Sequence, residues 1–351
     1  MPFRTLLTEK LGITGLSDKK QVGYAELASA VSEAGGLGIL TGLTQPTPDD
    51  LRKEIRRCRT MTKKPFGVNI TLLPSINPPD YEGYAQAVID EGIKIVETAG
   101  NSPGPIIKKL KAANIIILHK CTTIRHAQSA SKLGVDFLSI DGFECGGHLG
   151  ELPVGNFVLL NKARQILKTP FIASGGMGDG YSLAAALSLG ACGVNMGTRF
   201  MCTLLVYPAY HEQDTPTKLT HLACHREAPI HHNIKQEIIR AGETDTKILM
   251  QKFRNSTRLY SNKVANEAYA IETDPNTTEF KAIQPYMSGQ RGRQVFINGD
   301  VDAGVWTAGQ VIGLIDDIPS CEELLRRTEK EAEECLAQNQ AMIVPQRESK
   351  L

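Results

Sequence analysis

One histidine in this chain has little but glycine around it. In Asp141-Gly-Phe-Glu-Cys-Gly-Gly-His-Leu-Gly-Glu151, Gly142, Gly146, Gly147 and Gly150 frame a single imidazole, His148. Glycines let a backbone come close to a ligand, and an imidazole titrates near working pH, so general acid–base chemistry is the natural reading. A His flanked by Gly has almost no local packing, so a more distant part of the chain must hold it. Spacing alone leaves an ordinary loop histidine equally open.

Two further turns carry a different chemistry. Ala173-Ser-Gly-Gly-Met-Gly-Asp-Gly180 runs into a helix, and Asn195-Met-Gly-Thr-Arg199 follows about twenty residues later. Gly-rich turns that open onto helix N-termini offer free N–H groups and a positive dipole end, which together cradle a phosphate. The glycines come too late, and lack the following ribose-binding acid, for a Rossmann fingerprint. Other polar groups end apolar runs: Asn69, Glu97 and Lys120, the last suited to a phosphate or to cofactor carbonyl oxygens. His119-x-Cys121, Cys145-x-x-His148, Cys224-His225 and His231-His232 match no zinc module, so no metal is expected.

The elements that must position these residues alternate. Short β-branched runs at Leu37–Thr41, Phe66–Thr71, Ile93–Thr98, Ile115–His119, Phe137–Asp141, Pro170–Ser174 and Gly193–Gly197 predict parallel strands. Between them Tyr24–Ala34, Asp49–Arg59, Tyr81–Glu91, Pro105–Ala113, Ile124–Leu133, Asn156–Leu167 and Tyr181–Leu189 predict helices. This is the pattern of a (β/α)₈ barrel, whose function gathers on the loops after the strands and whose phosphate site commonly follows strands seven and eight. A barrel needs eight strands. The missing one should precede Tyr24, where Thr14–Gln21 is polar and turn-like, so the first strand is expected to be degenerate or absent. After Phe200 the alternation stops: Leu204–Arg226 reads as a loop or insertion, Ile230–Ala268 as polar helix, and Ile318–Leu336 as an amphipathic helix.

Composition excludes several classes. Lys+Arg number 39 against 38 Asp+Glu, for a net charge of +1, which leaves no basic field for nucleic acid or acidic lipid. No run approaches the roughly 18 apolar residues of a membrane helix, and the first ten residues lack the apolar core of a secretory signal. The eight Cys form no Cys-x-x-Cys pair, which suggests a reducing compartment rather than a disulfide framework. The final Ser349-Lys350-Leu351 reads as a peroxisomal address, so residence in the peroxisome through its import receptor is expected, with the cytoplasm as the alternative.

Several motifs in fixed order resemble the nitronate monooxygenase (2-nitropropane dioxygenase) family: Ala34-Gly-Gly-Leu-Gly-Ile-Leu40, His119-Lys-Cys-Thr-Thr-Ile-Arg-His126, Asp141–His148, Ala173–Gly180 and Gly193–Phe200. The likeness covers Val22 to about Thr203 and resumes over Glu227–Leu336. It implies a flavin enzyme with FMN at the barrel mouth. The phosphate would lie on Gly175, Gly176, Gly197 and Thr198, with Gly178, Asn195 and Met196 in the same turns. Asn69, Lys120, Asp141 and Gly146 would lie near the ring or ribityl chain. His148 matches the family's catalytic His, which takes a carbon-bound proton from a neutral nitroalkane or binds its nitro group. The implied activity is oxidation of nitronates and nitroalkanes by oxygen to carbonyl compounds and nitrite.

The expected organisation is an FMN-binding (β/α)₈ barrel over residues 1–203 and an insertion at 204–226. A helical appendage with a barrel-packing segment at 227–337 and a flexible tail at 338–351 complete it. Two features depart from the family: Gly12–Gln21 lacks its apolar first strand, and Leu204–Arg226 is extra. They keep open an enoyl reductase of the same barrel type, and a non-catalytic barrel whose flavin site is impaired.

Overall fold

The computed structural model describes residues 4–13, 17–18, 23–72, 78–100, 103–204 and 230–343. The insertion beyond Leu204 and the Ser349-Lys350-Leu351 end lie outside them.

Eight parallel strands form one curled sheet in the order β1-β9-β8-β6-β5-β4-β3-β2. They are β1 Ser17–Asp18, β2 Gly38–Thr41, β3 Phe66–Leu72, β4 Ile95–Gly100, β5 Ile116–Cys121, β6 Phe137–Asp141, β8 Phe171–Ser174 and β9 Val194–Asn195; β7, Gly147–His148, belongs to a second sheet. Helices separate successive strands, and this is the (β/α)₈ barrel that the alternation predicts. Side chains cap the helix starts where the chain leaves the sheet: Thr47, Asp80, Thr123 and Asp179 each accept from a backbone N–H of the first turn.

The first strand is degenerate, as the polar Thr14–Gln21 stretch requires. Among the described residues, Ser17 pairs with Val194 and Asp18 with Asn195. At the opposite edge the Gly23 carbonyl accepts from Thr41 N at 2.8 Å. Ser17 and Asp18 thus meet β9, and Gly23 meets β2.

Strand side chains alternate between two layers. Leu118, Phe137 and Ile172 point into the barrel with Ile39 and Ile95, whereas Ile117, Leu138 and Ala173 join the layer between sheet and helices. The inner cluster is completed by Leu7, Leu11 and Ile13. Leu7 and Leu11 belong to a short helix, Leu6–Leu11, that the strand-and-helix pattern does not anticipate; a capping box at Thr5 and Thr8 starts it and a left-handed Gly12 ends it. Its apolar face packs on the inward strand residues.

The C-terminal part differs from the expectation of helix throughout Ile230–Ala268. After the helix His232–Arg240 come two antiparallel strands, β10 Thr246–Leu249 and β11 Thr257–Tyr260, and only then the helix Lys263–Thr273. Four-residue strands are too short to show a period of two, and the turn between them is made by Met250 and Arg254 at positive φ. The long helix Cys321–Ala341 returns to the barrel against the helix Gly180–Ser188, where Glu331 accepts from Gly180 N at 2.9 Å.

Leu7 is almost fully buried in the inner cluster. Leu7→Ala is expected to cost about 2–5 kcal/mol, the range for a large-to-small change in a packed core, read as a lowered urea midpoint with unchanged slope.

Candidate active site

The period-two alternation decides what the barrel mouth contains. Above the apolar inner residues Ile95, Leu118, Phe137 and Ile172, the next inward positions are Glu97, Lys120, Ser139 with Asp141, and Ser174. The interior changes from apolar to polar toward the strand C-termini, on the same face of the same strands. Asn69 joins this layer, donating from Nδ2 to Glu97 Oε2 at 2.7 Å and accepting from Thr71 Oγ1 at 2.7 Å. Lys120 forms an ion pair with the fully buried Asp141.

A cleft opens above this layer. Its wall includes Lys120, Gly146, Gly175, Gly176, Gly197 and Thr198, joined by Asn195. Gly175 and Gly176 are both left-handed, at φ +85° and +74°. A Cβ on Gly175 would meet the Cys145 Cβ at 2.8 Å, so this turn requires glycine on both counts. The N–H groups of Gly176 and Met177 donate to no other group among the described residues. Thr198 Oγ1 accepts from Gly309 N at 2.9 Å and keeps its own proton to donate. Together these form a set of donors suited to an anion.

Four of the expected cofactor residues do not line this cleft. Asn69 lies in the polar layer bonded to Glu97, and Asp141 is held at the Lys120 ammonium. Met196 falls on the outward side of the alternation and packs in the layer beneath the helices. Gly178 serves the helix cap, donating to Ser182 Oγ. The chemistry-bearing His119 likewise faces outward and meets Thr98 Oγ1 at 2.8 Å.

His148 is held by the C-terminal part of the chain. Gly147 and His148 form β7, which pairs antiparallel with β11 in the register His148↔Thr257 and Gly147↔Arg258. Thr257 Oγ1 lies 2.9 Å from His148 Nδ1 and donates its own proton to Asn255 O at 3.1 Å. When Thr257 gives its proton to Asn255 O it accepts from Nδ1–H, and in that tautomer Nε2 carries the lone pair. Burial, and after it the positive charge of Lys120, hold the imidazole below its ordinary 6.5; the Asn255 side chain works in the opposite direction. The ring is therefore neutral at pH 7 and offers a base at Nε2.

Sequence reasoning missed the residues that close the site from a distance. Thr307, Gly309 and Val311, on the return from the appendage, line the cleft. Arg258 is buried beside the histidine loop, donating to Phe143 O at 2.9 Å and Thr246 Oγ1 at 3.0 Å, with its guanidinium over the Phe143 ring. Burial lowers its pKa from the ordinary value, yet a guanidinium stays charged at neutral pH. The only local hint was Thr257-Arg-Leu-Tyr260 itself, a short run of strand-forming residues.

Residues 17–206 match the family model for nitronate monooxygenase. Over 343 residues the chain is 30% identical to a substituted octahydroindene-carboxyl-CoA dehydrogenase of Mycobacterium tuberculosis, covering 93% of this chain and 95% of that one. A probable nitronate monooxygenase of Bacillus subtilis is 27% identical, covering 86% and 90%. Among solved structures, FabK of Thermotoga maritima superposes with a TM-score of 0.83 at 30% identity, over 97% of this chain and 100% of that one.

The two cradle glycines are expected to respond differently to a methyl group. At Gly176 the nearest atom to an added Cβ is 3.5 Å away, so Gly176→Ala costs only left-handed strain, about 1–2 kcal/mol. Gly175→Ala adds an overpacked contact worth about a further 1–3 kcal/mol, and thermal melts of the two variants should rank accordingly.

Proposed function

The chain belongs to the nitronate monooxygenase family, and from that premise we propose an FMN-dependent oxidoreductase that oxidises nitronates and nitroalkanes with oxygen to carbonyl compounds and nitrite. The observation that carries the reading is Lys120, which stands on the wall of the anion cradle and also acts electrostatically on His148, although His148 itself is not among the residues lining the cleft. The cradle fits a phosphate monoester: two uncommitted N–H groups, a Thr198 hydroxyl and left-handed glycines that allow close approach. Lys120, on the same wall, supplies a cation for the electron-rich edge of a flavin ring. Bound FMN supplies the electron acceptor.

The chain's own residues supply the proton chemistry. His148 Nε2 takes the carbon-bound proton of a neutral nitroalkane, and the Nδ1–H bond to Thr257 keeps the ring oriented as charge develops. Lys120 raises the cost of an imidazolium, which keeps the base in its working form between substrates, and stabilises the anion that forms. Asp141 holds Lys120 from below through their ion pair, in the same polar layer as the Asn69–Glu97 hydrogen bond.

A second reading has its own support. The Mycobacterium tuberculosis relative, matched nearly end to end, is a dehydrogenase of a carboxyl-CoA ester. A proton next to a thioester carbonyl is also acidic enough for an imidazole base to assist its removal, so an acyl thioester substrate uses the same residues. Anaerobic mixing separates the readings. Bleaching of the flavin band by a nitronate supports nitronate oxidation, and bleaching only by an acyl-CoA or by NADH supports thioester redox chemistry. A purified protein that stays colourless with added FMN refutes both.

His148→Ala should keep the yellow colour and lose about 10²–10⁴-fold in kcat/KM on neutral nitroalkanes, with preformed nitronates much less affected. Because the ring must be neutral to accept a proton, kcat/KM on neutral nitroalkanes should fall as pH drops through a value below 6.5. Lys120→Met removes one of the two effects that lower that value, so the acid limb of the profile should move upward.

A further inference from the structure

We infer that Asn156 is the positioning residue that shapes the anion cradle and thereby sets cofactor affinity, an inference that rests on the FMN reading. Asn156 is the first residue of the helix Asn156–Ile166 and is 5% exposed. Its Nδ2 donates to Ser174 O at 2.7 Å and to Gly175 O. Ser174 O also receives Gly142 N, but Gly175 O has no other donor among the described residues. Two carbonyls converging on one nitrogen fix the amide orientation, because the flipped amide would set oxygen against oxygen. With those carbonyls drawn toward the helix, the peptide units of Gly175 and Gly176 are held in their left-handed turn at the cleft wall.

Asn156 is itself clamped by the loop that carries the base. Its backbone N–H donates to both Glu144 carboxylate oxygens, at 2.9 and 3.1 Å. The preceding Gly155 has no side chain to cap the helix, so Glu144 performs that role from twelve residues upstream. Glu144 O accepts in turn from Gln310 N at 2.9 Å, and the neighbouring Gly309 N reaches Thr198. One asparagine thus joins the histidine loop to the phosphate-side turn. Its Oδ1 is buried with no hydrogen-bond partner in the described structure. Such an unpaired acceptor costs free energy, which the two bonds from Nδ2 must offset.

The test compares Asn156→Leu, which removes the donors at similar volume and adds no charge, with Asn156→Ser as a milder second variant. Hydrogen exchange in the cofactor-free protein reads the cradle directly. Exchange at the hydrogen-bonded amides that flank the turn, Ala173 and Gly178, should accelerate by about tenfold, the loss of roughly one to two hydrogen bonds, while the Phe66–Leu72 strand keeps its wild-type rate. Titration followed by flavin fluorescence should show FMN binding weakened by about tenfold. Unchanged exchange at the cradle, or an equal rise everywhere, overturns the role of Asn156 whether or not FMN binds. Faster cradle exchange with unaltered FMN affinity overturns the link to the cofactor. If wild type takes up no FMN at all, the flavin reading fails and so does this one's claim on affinity; the exchange contrast alone would then report the strut.

Discussion

The antiparallel pairing of Gly147–His148 with Thr257–Arg258 is the interaction on which the candidate site depends. A histidine in a glycine-rich loop has little local packing to choose its rotamer, and glycine leaves the adjoining backbone conformationally free. Pairing with β11 removes that freedom and brings a hydroxyl to Nδ1 in the same register. The ring's position follows, while burial and the charge of Lys120 favour its neutral form. The appendage is therefore part of the site, because without β11 the imidazole has neither an orientation nor a committed proton.

The barrel contributes a gradient. Its inward positions are apolar where the Leu6–Leu11 helix closes the interior and polar at the opposite end. A charged pair such as Lys120 and Asp141 is costly to bury, and the attraction between the partners must offset that cost. Here the pair sits directly beneath a cleft, with Lys120 on the cleft wall. Asn69 and Glu97 extend the polar layer across neighbouring strands. That arrangement gives up some stability to keep a cation facing the mouth, which a barrel core filled only for packing would not do.

The halves of the site are tied together by segments far apart in the chain. Glu144 reaches Asn156 and Gln310, Asn156 reaches the Ser174–Gly175 turn, and Gly309 reaches Thr198. Base and cradle consequently share one framework. Among the described residues, the wall of the cleft is drawn from β5, the histidine loop, the turns after β8 and β9, and the return segment.

Much was legible in the sequence because it is written in local terms. Helix and strand periods, the Thr and Asp caps, and the glycine turns at Gly175, Gly176 and Gly197 are each set by a few adjacent residues, and so is the polar stretch that weakens the first strand. The same local grammar singled out His148, Lys120 and Thr198. It could not say that Met196 faces the helices while Asn195 faces the cleft, since a two-residue strand shows no alternation to read. Nor could it supply Thr257 for His148, Asp141 for Lys120, or Asn156 for Gly175. Those partners lie from about twenty to more than a hundred residues apart, and only closure of the barrel and docking of β11 bring them within hydrogen-bond reach. Sequence chose which groups could do chemistry; tertiary packing decided which proton each one holds.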